Sequence, residues 1–514
     1  MSVFIMYSRK SLFLNGAGIL VSRVAAMLIT FLATPIIISE LGIGGYGAWE
    51  FILSLAVICS ILQTSVAASL LWMISTAFGA ADIASAQKYV RMATFFSLTA
   101  FSIVTPIIWI FKKPIAQLFS LSQYLQEESL WLLPCLVGLT LLSSVNEIMN
   151  SFISGFQRSG VAALAQAASV IIGNTFMVAL VIAGFAHIGL LIGSALTMMI
   201  AFCVLFLVSR RIAPSFTVRP LLPSRRVIRK CAPFTAFTIV GVLASMSREQ
   251  ADKLFIAATA SSAWVGYYGI ASRLANLVMV VCTFLYVPTL AAVGGLSSNP
   301  DSSKLNRVYG DVCTMTIASV GLAVVILGSL SDRLTMLWIG RSIPEVESIL
   351  YVMLGGIALA AMLTAGGTAI CKGLGILHIE LRYIVLSLAL NAAIKILLIP
   401  MFGAIGSVIA SFASWGLASV AFMFMFHRAT GIATGPSFRI AGAIAIALIC
   451  IALARYISGM VPLGTNRFDQ VVPIAIIATG VTGFYVALAM VTGVIPRETV
   501  RSLLGKYKVM TARK

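Results

Sequence analysis

The sequence predicts an all-α polytopic membrane protein of about 14 transmembrane helices, built as two parallel six-helix repeats plus two further helices. Three observations lead there. The 514 residues are 60% hydrophobic and only 10% charged, with a mean hydropathy of +1.04, whereas soluble domains carry about 25% charge. Apolar runs long enough to span a bilayer recur from end to end, and only helices and closed barrels satisfy their backbone in lipid. The runs are continuous rather than short and alternating, which argues against a barrel. Weak sequence motifs also recur at a nearly constant offset.

In chain order the spans read as 13–39, 47–74, 91–111, 128–152, 161–186, 189–209, 231–258, 263–292, 311–331, 346–371, 382–400, 404–427, 439–458 and 470–494. Arg9 and Lys10 precede the first. That run is too long for a signal-peptide core and lacks a small-residue cleavage site, so it is expected to remain as a helix. With the N-terminus in the cytoplasm, 24 of the 35 Lys and Arg fall in inside segments, 6 in outside loops and five within spans. This asymmetry supports an even number of spans, with both termini cytoplasmic. It also accounts for most of the net charge of +19. No basic domain stands apart from the spans, so no nucleic-acid partner is expected. The eight cysteines are dispersed without a CxxC pair, and the three histidines are far apart in sequence. No metal and no cofactor is expected.

The longest inside connection, RRIAPSFTVRPLLPSRRVIRK (210–230), has seven basic residues and no acid. It reads as a linker, giving an N-lobe with linker at 1–223, a C-lobe at 224–430, and helices 13 and 14 with a basic tail at 431–514. Its charge also suits anionic lipid, although the positive-inside rule alone would explain it. The lobes are expected to be copies. AHIGLLIGSAL (186–196) aligns with GAIGSVIASFA (403–413), and Asn174 and Asn391 precede them at the same offset of 217. GGYGAW (44–49) aligns with GYYGIA (266–271) at 222, and IAQLFS (115–120) with LTMLWI (334–339) at 219. Six-helix units related in parallel are a transporter architecture with the substrate site at the repeat interface.

An ionisable group at the bilayer centre costs about 2.5–3.5 kcal/mol on insertion scales and usually faces an interior cavity. The intramembrane cations are Arg23, Arg248, Lys253, Arg273 and Lys395; the acids in or near spans are Glu50, Glu147, Glu249 and Asp252. On span 7, Arg248 with Asp252 and Glu249 with Lys253 are spaced i, i+4, so each pair can meet on one helix face. The set reads either as a self-compensated structural device or as a polar stripe in which Asp252 or Glu249 exchanges protons or sodium. Arg23 and Arg273 have no opposite charge within four residues on their own helices. They are expected to bind an anionic group, since a guanidinium stays charged and pairs bidentately with phosphate. The competing reading is pairing across helices with Glu50, Glu147 or the span 7 acids. Lys395, nearer an outer end, is expected to snorkel.

NGAGILVSRVAAMLITFLATPIIISELGIGGYGAW (15–49), the stretch from Asp252 through VGYYGIASRL to Pro288, and the paired Asn and IG motifs resemble the polysaccharide-biosynthesis branch of the multidrug/oligosaccharidyl-lipid/polysaccharide exporter superfamily. The resemblance implies a V-shaped, two-lobed bundle around a central cavity. It implies a flippase that moves an O-antigen or exopolysaccharide repeat unit on polyprenyl pyrophosphate across the bacterial inner membrane, from the cytoplasmic to the periplasmic leaflet. The lipid II flippase branch carries cavity arginines on helices 1 and 8, and Arg23 and Arg273 occupy similar helix positions. The expected pyrophosphate-binding set is Arg23, Arg273, Arg248 and Lys253, with Asp252 and Glu249 for ion coupling. Expected partners are the lipid-linked oligosaccharide, membrane lipids, and polysaccharide polymerase and chain-length machinery.

Two other functions compete. A multidrug or cation antiporter of the same superfamily needs acids facing its substrate, whereas the excess intramembrane charge here is positive. A membrane-embedded glycan polymerase or ligase is expected to need a sizeable outer loop, and every expected outer loop is short. The chain is therefore not expected to be an enzyme.

Overall fold

A computed structural model describes residues 9–80, 82–117, 123–296, 302–374, 376–432, 437–460 and 467–494. They form an all-helical, multi-pass membrane protein. Ten stretches among them are long and apolar enough to cross a bilayer. Three of these run for 42, 54 and 53 residues, and about 20 residues suffice for one crossing. The second and third each hold two crossings, separated by a backbone break at the 181–186 segment and at Gly403, and the first breaks at Gly42 into one crossing and the start of another that runs on past Ser60.

Contacts divide the chain into two compact units, 1–266 and 267–514. The first contains α1 (Arg9–Cys59), α2 (Ile61–Gly79), α3 (Ile83–Gln117), α4 (Gln123–Gly155), α5 (Ser159–Leu180), α6 (Ala186–Ile212), α7 (Arg225–Thr259) and the first turn of α8 (Ser262–Leu296). α1 packs on α5, α4 and α7, and α2 packs on α3, α4 and α7. The core includes Leu70, Ile74, Ile148, Phe152 and Leu205, all essentially inaccessible. The division falls after α7, which the sequence reading grouped with the second lobe. Close packing explains this at the 44–49 and 266–271 motifs. A Cβ on Gly47 would collide with the Ser262 carbonyl, and one on Gly266 would lie 2.6 Å from the Ile43 carbonyl oxygen. The first turn of α8 thus sits directly on α1.

The second unit contains the rest of α8, then α9 (Ser302–Ser329), α10 (Ser331–Ile339), α11 (Pro344–Leu374), α12 (Leu377–Thr430), α13 (Ser437–Met460) and α14 (Val471–Val491). α11 packs on α12 and α9, and α13 packs on α9 and α14. Ile370, Cys371, Phe422 and Phe426 form part of its core. α10 is a short helix between the spans expected at 311–331 and 346–371. Its signals are Asp332 in the first turn and Gly340 at φ 90° after the last, the usual left-handed stop.

The repeat is visible in the backbone. Ala186 has φ 42°, ψ −129° and Gly403 has φ 56°, ψ −131°, and these residues are the first positions of the two aligned IG segments. The same uncommon turn therefore joins the paired helices α5 and α6 and the two halves of α12. Glycine enters this region freely; alanine is strained there. Gly403→Ala is expected to cost about 1–2 kcal/mol, and Ala186→Gly to cost nothing or gain up to ~1 kcal/mol. The apparent melting temperature in detergent reads both, and similar losses in the two variants would contradict the shared turn.

Candidate substrate site and buried charges

α1 and α7 bring together residues 203 positions apart. Lys253 Nζ lies 2.8 Å from Glu50 Oε2, and Tyr46 Oη donates to Glu50 Oε1 at 2.8 Å. Tyr46, Glu50 and Lys253 are all buried, and Asp252 beside them is fully buried. Both Glu50 oxygens are thus engaged, and the Lys253 charge meets a carboxylate on another helix. An anion at Lys253 would have to compete with Glu50. The geometry therefore gives this lysine a cross-helix partner, which the i, i+4 spacing with Glu249 does not foretell. Arg248 and Glu249 lie on α7, but their side chains fall outside the described residues.

Arg23 differs. It sits within α1, is exposed, and has no acidic partner among the described residues. At about 100° per residue, it lies roughly opposite the exposed apolar stripe of Val21, Leu28 and Leu32. It shares its face with Gly16, Ile19, Met27, Thr30 and the fully buried Thr34. A stripe of exposed large apolar side chains suits lipid, and the Arg23 guanidinium points away from it. Arg273, on α8 in the second unit, is half-buried and has an interaction partner. Lys395 was expected to snorkel but is buried at 3% exposure.

Sequence reasoning missed two further clusters. At one end of unit 1, His187 Nδ1 faces Glu128 Oε2 at 2.6 Å while its Nε2 faces the Gly45 carbonyl at 3.0 Å. The ring fastens α6 to α4 and to the bend of α1. In unit 2, Arg333 is completely buried. It donates to Ser458 Oγ at 2.7 Å, the Ser458 carbonyl at 2.8 Å and Gln470 Oε1 at 2.9 Å. Arg455 bridges Asp332 and Glu347, each at 3.0 Å. By sequence both arginines read as outer-loop topology charges; Arg333 ties α10 to α13, and Arg455 ties α13 to α10 and α11. Among the described residues, no three His, Cys, Asp or Glu side chains gather to hold a metal.

Solved structures share this fold. The lipid II flippase MurJ in an inward closed conformation is similar with a TM-score of 0.69 at 12% identity, over 93% of this chain and 98% of that one. An inward-facing multidrug resistance MATE family transporter of the MOP superfamily is similar at 0.64 and 15%, over 79% and 94%. A MATE family transporter in the outward-facing conformation is similar at 0.56 and 16%, over 82% and 96%. The chain thus has the fold of MOP-superfamily membrane transporters. No family model and no curated protein sequence matches it.

Proposed function

We propose that the protein is a flippase that carries an anionic lipid-linked substrate, an oligosaccharide on polyprenyl pyrophosphate, from the cytoplasmic to the periplasmic leaflet. The carrying observation is Arg23, an exposed guanidinium without an acidic partner among the described residues, set within a span and opposite its apolar stripe. A pyrophosphate crossing hydrocarbon needs cations in place of its hydration shell, and arginine supplies bidentate donors that stay charged. Arg273 is assigned the same role on α8, as a separate candidate. Lys253 is left out, because Glu50 already holds it. Asp252 is the carboxylate assigned to proton or sodium coupling, and its complete burial means that access requires the helices to move. Alternating access supplies that movement in transporters built from repeats.

The coverage of the fold neighbours supports the same reading. MurJ spans 93% of this chain, whereas the MATE structures quoted span 79% and 82%. Of the intramembrane acids that a cation antiporter would use, Glu50 is neutralised by Lys253 and capped by Tyr46.

Depleting the protein in its host tests the proposal. Lipid-linked oligosaccharide should accumulate on the cytoplasmic side and surface polysaccharide should fall. Unchanged glycan with altered drug tolerance would assign the antiporter function instead.

A further inference from the structure

We propose that unit 1 binds an anionic phospholipid, with one acyl chain in a cavity between α2, α3 and α7 and its phosphate against Arg225 and Arg229. The inference stands on this cavity and does not depend on the transported substrate.

The cavity has a volume of about 320 Å³. It exists because small residues face one another where helices would otherwise interdigitate: Ala232 and Ala236 on α7, Ala93 on α3 and Ser69 on α2. On α7, Ile228, Ala232, Ala236 and Ile239 follow helical spacing, so one face of that helix forms a wall. Phe96, Ala232 and Ala236 are exposed, so the space is open to an incoming chain. Apolar cavities of about 150 Å³ stay dry and accept apolar guests. This one is larger and its walls are almost wholly hydrocarbon, which suits an alkyl chain better than water.

The charge beside it specifies the other end of the guest. Pro223 of the linker and Ile228 of α7 line the cavity. Arg225 and Arg229 lie within one turn of Ile228, and Arg219 lies a few residues earlier on the linker; all three are exposed. None of the three pairs with a carboxylate among the described residues. The linker is held in place, since Leu221 N–H donates to the Arg91 carbonyl at 3.0 Å and Arg91 Nε donates to the Arg219 carbonyl at 3.2 Å. A hydrocarbon slot beside unneutralised guanidinium groups matches an amphiphile with an anionic head. Phospholipid of the surrounding leaflet has that chemistry.

The test uses the purified, delipidated full-length protein in detergent. Phosphatidylglycerol and phosphatidylcholine, each with a photoreactive group on the acyl chain, are titrated and the labelled peptides mapped. Phosphatidylglycerol should label α2, α3 and α7 peptides at roughly tenfold lower concentration than phosphatidylcholine. Ala236→Phe, which fills the slot, should reduce that labelling by about tenfold, and Ala232→Leu provides a second variant should the first fold poorly. Arg225→Gln with Arg229→Gln should abolish the preference between the two lipids while leaving phosphatidylcholine labelling intact. Equal labelling by both lipids, or labelling indifferent to the filled slot, would overturn the proposal. So would displacement by polyprenyl phosphate below the concentration at which phosphatidylglycerol binds, since the slot would then belong to a substrate tail.

Discussion

Lys253→Met is expected to destabilise the protein by about 3–5 kcal/mol, because it leaves Glu50 charged and buried without its partner. Tyr46 still donates to one oxygen of Glu50, but a neutral hydroxyl does not replace an ammonium 2.8 Å from the other. Glu50→Leu combined with Lys253→Met should recover most of the loss, since replacing both members of a buried pair by apolar groups is often neutral. The non-additivity is the signature of a direct pair. Apparent melting temperatures in detergent for the two single variants and the double variant measure it. Single variants that melt like the wild type would show that the pair does not hold α1 to α7.

Arg23→Ala is expected to lower export of the lipid-linked substrate by about 10–100-fold, the usual worth of a hydrogen bond to a charged group. Its stability should change little, because the side chain is exposed and has no acidic partner among the described residues to leave behind. Arg23→Lys should fall between, retaining the charge but losing the planar fork. Export is read as surface polysaccharide per unit of protein in the membrane. Full export by Arg23→Ala would remove Arg23 from the substrate path.

Much of the fold was legible because lipid imposes length. A span needs about 20 apolar residues, and the chain repeats such runs with basic residues concentrated in alternate connections. The IG repeat was legible as well, since the turn at Ala186 recurs at Gly403 with nearly the same dihedral angles. The breaks were harder to see. The connection expected at 40–46 contracts to a sharp break at Gly42, φ 70° and ψ 169°, with helix up to it on both sides.

The site was less legible. Helical spacing offered Lys253 a partner at Glu249, four residues away, and gave no sign of Glu50, 203 positions earlier, which the structure places 2.8 Å from it. Spacing along one helix reports which side chains can meet, and only tertiary packing decides which do. Arg333 shows the same limit: a basic residue near a span end satisfies the topology rule whether it faces water or, as here, lies fully buried among Ser458 and Gln470. His187 carried no local signal at all, because Glu128 and the Gly45 carbonyl reach it from other helices.

The central claim is that the substrate is an anionic lipid-linked oligosaccharide. Its most direct test is purified protein in liposomes, with a fluorescent oligosaccharide on polyprenyl pyrophosphate in one set and a cationic drug in another. Protein-dependent movement of the lipid-linked sugar to the opposite leaflet, without drug movement, is the predicted result. Drug movement with an immobile lipid-linked sugar would contradict the account.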